Sequence, residues 1–137
     1  MSVGVPAARV PFAAQQVARI DEVCWFFPEL RFVMRDGAEP WTELAVRLML
    51  KWPNLYYSTA GIAPACYPPA IVEYANTRGA DKVIFGGGFP AGPDPRRVAE
   101  ALPRVPFREH VWPRFLRENA ERVLRLQTPP AGPAGRG

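Results

Sequence analysis

Three short apolar runs recur along the chain at a nearly even interval: LRFVM from Leu30, NLYYST from Asn54 and DKVIF from Asp81. Each is rich in β-branched or aromatic residues, and each is followed by a loop and then a helical pattern. Starts spaced about 25 residues apart leave room for a crossover helix, which parallel strands require. None of the runs alternates cleanly between apolar and polar, as expected of strands covered on both faces. The spacing therefore predicts βα units and a parallel sheet, with the strands at Leu30 to Met34, Asn54 to Ser58 and Lys82 to Phe85 adjacent in that order. A stub of strand is expected before them at Ser2 to Val5.

The intervening helices are marked by their apolar spacing. In QQVARIDEVCWFF, Val17, Ile20, Cys24 and Phe27 share one face. PWTELAVRLMLKW opens with Pro40 in its first turn and is expected to bury Leu44, Leu48 and Trp52 or their neighbours. PPAIVEYANTRG stops at Gly79, a C′ residue, and PRRVAEAL follows Asp94, a candidate N-cap. The last helix becomes regular at Pro113, with Phe115 or Leu116, Asn119 or Ala120, Val123 and Leu126 on one face. Residues 1–126 then form one unit, and 127–137 are a Pro/Gly-rich tail expected to be disordered. At 137 residues the chain has length for one domain and a core. Four βα units make half of a (β/α)8 barrel, which needs roughly 250 residues. Half a barrel has two open sheet edges, so self-association through those edges is expected.

Composition removes several classes of function. The net charge is +4, from fifteen arginines and two lysines against thirteen acids. The arginines are spread along the chain and not interleaved with aromatics, so no nucleic-acid footprint is read. No stretch reaches 18 apolar residues, so no membrane span is read, and the N-terminus lacks the apolar core of a signal peptide. The expected location is the cytoplasm. Cys24 reads as a core hydrophobe and Cys66 as a loop thiol; the one histidine, His110, is far from both in sequence.

The strand ends carry the candidate chemistry. In a barrel, reacting groups sit at the C-terminal ends of strands. The turn RDGAEPW after the first strand brings Asp36 and Glu39, two carboxylates three residues apart. They suit a cation or an acid–base pair; the spacing favours instead a cap on the helix that begins near Pro40. The turn VIFGGGFPAGP after the third strand is glycine-rich, yet it fits neither the dinucleotide fingerprint, since Ala91 stands where glycine is needed, nor a P-loop, since no Lys-Ser or Lys-Thr follows.

Three segments together resemble the amidohydrolase-related family, in the branch of aminocarboxymuconate-semialdehyde decarboxylase and the resorcylate decarboxylases. ELRFVMRDGAEPW resembles that family's strand-six end, GADKVIFGGGFP its strand-eight end, and WPRFLRENAERVL its closing helix. The resemblance spans about Val3 to Leu126. It implies the last four βα units of a TIM barrel, a metal-dependent hydrolase or decarboxylase acting on a small molecule, and zinc or another divalent metal. Residue by residue, Asp36 stands at a metal-site histidine and Gly88 at an aspartate, with Phe89 and Pro90 at the aromatic and proline that follow. No histidine lies near Ser2 to Val5, and the strand-one histidine pair has no counterpart. Zinc in a catalytic site takes about three protein ligands. With Asp36 as the one metal ligand and Glu39 beside it as the other catalytic candidate, the expectation is a catalytically impaired or truncated copy that holds metal weakly or not at all. The other readings are a non-catalytic remnant that pairs through its sheet edge, and an unrelated ligand-binding α/β domain.

Overall fold

The computed structural model describes residues 1–5, 11–88, 90 and 92–126; the tail lies outside them. Three strands form one parallel sheet in chain order: β1 (Phe32–Met34), β2 (Leu55–Ser58) and β3 (Val83–Ile84). Val33 pairs with Tyr56, and Tyr57 with Val83. The helices are α1 (Arg19–Phe26), α2 (Thr42–Lys51), α3 (Pro69–Thr77), α4 (Pro95–Ala101) and α5 (Asn119–Leu124). A bridge from Ser2 to Arg35 adds the stub of a fourth parallel strand on the β1 side. This is the α/β arrangement the spacing predicts.

The sheet has two faces of different character. Met34, Leu55, Tyr57 and Val83 belong to the main core, with Ile20 and Cys24 of α1, Ala45, Leu48 and Met49 of α2, and Ile71 and Ala75 of α3. Side chains at paired positions on parallel strands point the same way, so this is the outer, helix-covered face of a barrel wall. Val33, Tyr56 and Ile84 point to the opposite, inner face. Leu44, Phe27 and Leu126, read onto helix core faces, are not buried. Leu44 gives way to Ala45, one position on, and Phe27 is exposed just past the end of α1. Gly79 does follow α3, but with no left-handed φ; a side chain there would run into the Tyr74 ring.

The closing helix is irregular for a visible reason. Residues Arg114–Glu118 make a π turn in which the Asn119 amide reaches back to Arg114 O. That frees the Phe115 carbonyl, which accepts from Phe85 N at 2.9 Å. The Asn119 side chain, buried in the same turn, donates to Ala80 O and Val83 O at 2.8 Å each. Val83 O and Phe85 N face away from β2, because Lys82 O and Ile84 O already bond to it. The outer edge of β3 is therefore not open at these groups. On the other side, Met1 N donates to Val33 O at 2.8 Å and Val3 N to Arg35 O at 3.1 Å. The edges expected to be bare are occupied at these positions by the chain itself.

Asn119→Ala removes two buried hydrogen bonds and strands two carbonyls, so it should cost about 2–3 kcal/mol of stability. Urea unfolding measures this; a loss under about 0.5 kcal/mol, the level of an ordinary surface change, would contradict the clamp.

Candidate functional site

The C-terminal ends of the strands meet at the turn after β1. Asp36, Gly37 and Ala38 all have positive φ, at 70°, 92° and 60°, and the Glu39–Pro40 peptide is cis. Non-glycine residues avoid this region, so three in succession need strong outside support. The N-terminal stub gives it: Ala38 N donates to Val3 O at 3.2 Å, and Val5 N to Glu39 O at 2.8 Å. From below, the buried Tyr57 hydroxyl donates to Gly37 O at 3.2 Å. Burial first, then the nearby Glu39, Tyr67 and Asp36, push the Tyr57 phenol far above its ordinary range, so it stays a neutral donor.

Asp36 is exposed and accepts from its neighbour Arg35 Nε at 3.2 Å. It lines a cleft of about 380 Å³ with Ser2, Val3, Gly4, Val5, Gln15, Gly61 and Ile62, and is the one carboxylate among the described residues there. Glu39 is exposed but does not line that cleft, so the two carboxylates are not gathered into one site. Neither caps the next helix. α2 begins at Thr42 with Trp41 in the cap position and no side-chain cap bond. The cap favoured by spacing does not form: α2 starts three residues beyond Glu39, after the left-handed run.

At Gly86, Gly88 and Gly92 the glycine turn after β3 packs against backbone, while Gly87 is open to solvent. Gly86 N donates to Thr59 Oγ1 at 3.3 Å, and Gly92 N to Gly88 O at 2.6 Å, so two amides a phosphate would use are taken. Asp94 caps α4 through Arg96 N at 2.9 Å, placing a carboxylate where an anion would sit. Gly88 has φ of +71°, and a Cβ there would lie 2.7 Å from Gly61 N and 3.0 Å from Gly61 Cα. A side chain there meets the Gly61 backbone, so an aspartate does not fit unless one of the two turns shifts. Among the described residues, no three of His, Cys, Asp and Glu come together as metal ligands. The residues present do not fit a catalytic zinc site, which needs about three protein donors.

Sequence reasoning missed the tyrosines beneath this mouth. Tyr67 is buried with its hydroxyl near Thr59 but without hydrogen-bond geometry to any partner among the described residues. Burial raises its pKa. Of the two tyrosines in NLYYST, period-2 alternation marks one for each face, but not which one meets Gly37. Cys66 and His110 are both exposed, and no hydrogen bond joins them.

A parallel βα wall with its polar turns at the C-terminal strand ends defines a partial (β/α)8 barrel. The chain belongs to the amidohydrolase family, whose sequence profile matches residues 2–126. Among solved structures it is similar to an uncharacterised TIM-barrel protein of Bordetella bronchiseptica, at 28% identity and a TM-score of 0.73, over 91% of this chain and 44% of that one. It also shares its fold with 5-carboxyvanillate decarboxylase of Sphingomonas paucimobilis, at 16% identity and a TM-score of 0.60, over 88% of this chain and 43% of the other. A dihydroxybenzoic acid decarboxylase of Polaromonas, solved with bound manganese and an inhibitor, matches at 14% identity and a TM-score of 0.59, over 83% and 41%. The chain spans less than half the length of these barrels. No curated protein matches it in sequence. No helix among the described residues is long and apolar enough to cross a membrane.

Gly88→Asp should not rebuild a ligand. It should destabilise the protein by about 1–3 kcal/mol, the cost of holding a non-glycine residue in strained backbone, with the Gly61 contact added. Thermal unfolding of Gly88→Asp beside Gly88→Ala measures it; wild-type stability together with new metal affinity would contradict the closed position.

Proposed function

We propose that this chain is a catalytically impaired member of the amidohydrolase family, from the branch of aminocarboxymuconate-semialdehyde decarboxylase-like decarboxylases, whose metal centre is vacated. The observation that carries the reading is Gly88, at the strand-eight ligand position, closed by Gly61 against any side chain. Asp36, at the strand-six position, supports it, because its Oδ1 is shared with Arg35 and stands alone in the cleft.

In the family reading the metal would activate water or orient a carboxylate substrate. Lewis-acid chemistry of that kind needs a tightly held cation. One solvated carboxylate beside a guanidinium is a poor hard-cation site and a worse zinc site, since it offers no imidazole or thiolate. What remains is a mouth able to receive a small molecule at Asp36, with Gln15 and Ser2 as polar neighbours. Substrate, reaction and full activity belong to a complete centre, and this chain supplies a fraction of one.

A second reading, an interaction module, is favoured by one observation. Trp25 and Phe26 at the end of α1 are 70% and 69% exposed, with Phe27 and Leu30 beside them in the chain and also exposed. That is a large contiguous aromatic run for a monomer's surface.

Calorimetric titration with zinc, and separately with manganese, tests the first reading. The chain and its Asp36→Ala variant should both bind weakly, and neither should release CO2 from an ortho-hydroxybenzoate. Tight one-to-one binding that disappears in Asp36→Ala would overturn it.

A further inference from the structure

The aromatic run at the end of α1 opens onto a groove. Asp21, Glu22, Trp25 and Phe26 of α1, with Lys51 and Trp52 at the end of α2, line about 490 Å³ of it. One wall is fixed. Asp21 Oδ1 accepts from Trp52 Nε1 and from Lys51 Nζ, at 2.7 Å each, and the Lys51 ammonium lies 4.9 Å from the Trp52 ring centre. The Trp25 ring stands edge-on to Trp52, with centroids 6.3 Å apart, and is 70% exposed. Lys51 balances Asp21, so Glu22 is the charge left over. It is exposed, and no ion pair among the described residues engages it. A ligand for this groove therefore needs flat apolar groups for the rings and one cation for Glu22.

The chain carries such a segment. TPPAGPAGRG, from Thr128 to Gly137, lies outside the described residues. A polyproline II strand has three residues per turn, so in that conformation Pro130, Pro133 and Arg136 fall on one ridge, with only alanine and glycine between them. Prolyl rings pack on aromatic walls, and the preformed helix loses little entropy on docking, which is how aromatic-lined grooves take Pro-rich peptides.

Position and order agree. Arg31 Nη1 donates to Arg122 O at 2.7 Å and to Val123 O at 3.0 Å, which brings the end of α5 to the residues just after α1. From Arg31 back to Trp25 is at most about 20 Å along the chain. Leu126 to Pro133 spans about 22 Å as polyproline II, at ~3.1 Å per residue. A segment arriving from that end meets Phe26 and Trp25 first, and Glu22, one turn earlier on the same face of α1, last. The tail offers its prolines first and Arg136 last.

We propose that residues 128–137 dock in this groove of their own chain, with Pro130 and Pro133 on Trp25 and Phe26 and with Arg136 at Glu22. A short tether gives an effective concentration on the order of millimolar, so a contact too weak to hold a free peptide closes within the chain. The proposal rests on the exposed aromatic run of the interaction-module reading, to which it gives an occupant, and not on the vacated metal centre. Metal titration tests the centre and contacts to Trp25 test the docking, so the two fail separately.

The test is proton NMR of the full chain, with Trp25→Phe identifying the Trp25 indole signals. Nuclear Overhauser contacts from the Trp25 ring to the δ protons of Pro130 and Pro133 are expected, unchanged on dilution. Pro130→Gly with Pro133→Gly should abolish them and shift the Trp25 indole signal, while those of Trp41 and Trp112 stay in place. Arg136→Glu should lower the contact intensity about twofold to fivefold, the range of an exposed ion pair, and Glu22→Arg added to it should restore the loss. No Trp25–proline contact in the unaltered chain would overturn the docking. Contacts that fade on dilution would place the tail in the groove of another copy and overturn the intramolecular form. A charge swap that restores nothing would overturn the pairing of Arg136 with Glu22.

Discussion

Two hydrogen bonds from one buried amide organise much of this fold. Asn119 Nδ2 bonds Ala80 O and Val83 O, and it does so from a π turn that also delivers the Phe115 carbonyl to Phe85 N. A regular α-helix at this point would keep the Phe115 carbonyl for the Asn119 amide, and β3 would be left with unpaired groups. Slipping the bond by one residue satisfies both. It also fixes the Phe115 ring among Phe85, Phe107, Trp112 and Tyr67, the aromatic cluster that joins the closing segment to the main core. From that anchor α5 runs on to pack Val123 and Ala120 on Tyr56, Ile84 and Val33.

The mouth follows the same economy of backbone contacts. The stub at Val3 to Val5 holds residues 36–38 in a left-handed run, and Gly61 presses on Gly88. Turns packed this closely are shaped for stability. A metal centre would need side chains where these turns have only backbone, and a cavity where Gly61 and Gly88 touch. Among the described residues no three metal-ligand side chains converge, and Asp36 is shared with Arg35.

Much of this was legible in the sequence. The even spacing of the β-rich runs set the parallel order β1, β2, β3, and Asp94 marked its own helix start. The motif WPRFLRENAERVL marked a face with Phe115 or Leu116, Asn119 or Ala120, Val123 and Leu126; Phe115, Asn119 and Val123 are buried on it and Leu126 is exposed. The family resemblance rested on residues that the profile match covers. Less legible was anything that depends on two distant backbones. Nothing in RDGAEPW says that Asp36 and Ala38 are left-handed, since the cause is a stub more than thirty residues earlier. Nothing in FGGGFP says that Gly88 lies against Gly61. The edges looked open because a strand count cannot reveal that a side-chain amide and a stray carbonyl will take the place of the next strand. Phe27, read onto the core face of the first helix, is exposed, because α1 ends at Phe26 and Phe27 lies past its last turn.

The placement of α5 is the point on which the fold description turns, and nuclear Overhauser contacts between the Val123 methyl groups and the Tyr56 ring report it at atomic range. Strong cross-peaks from Val123 to Tyr56 and to the Ile84 methyls are expected, together with a slowly exchanging Asn119 side-chain amide. A spectrum with no Val123–Tyr56 contact and a fast-exchanging Asn119 amide would show that the helix lies elsewhere, and that the inner face of this half barrel is open after all.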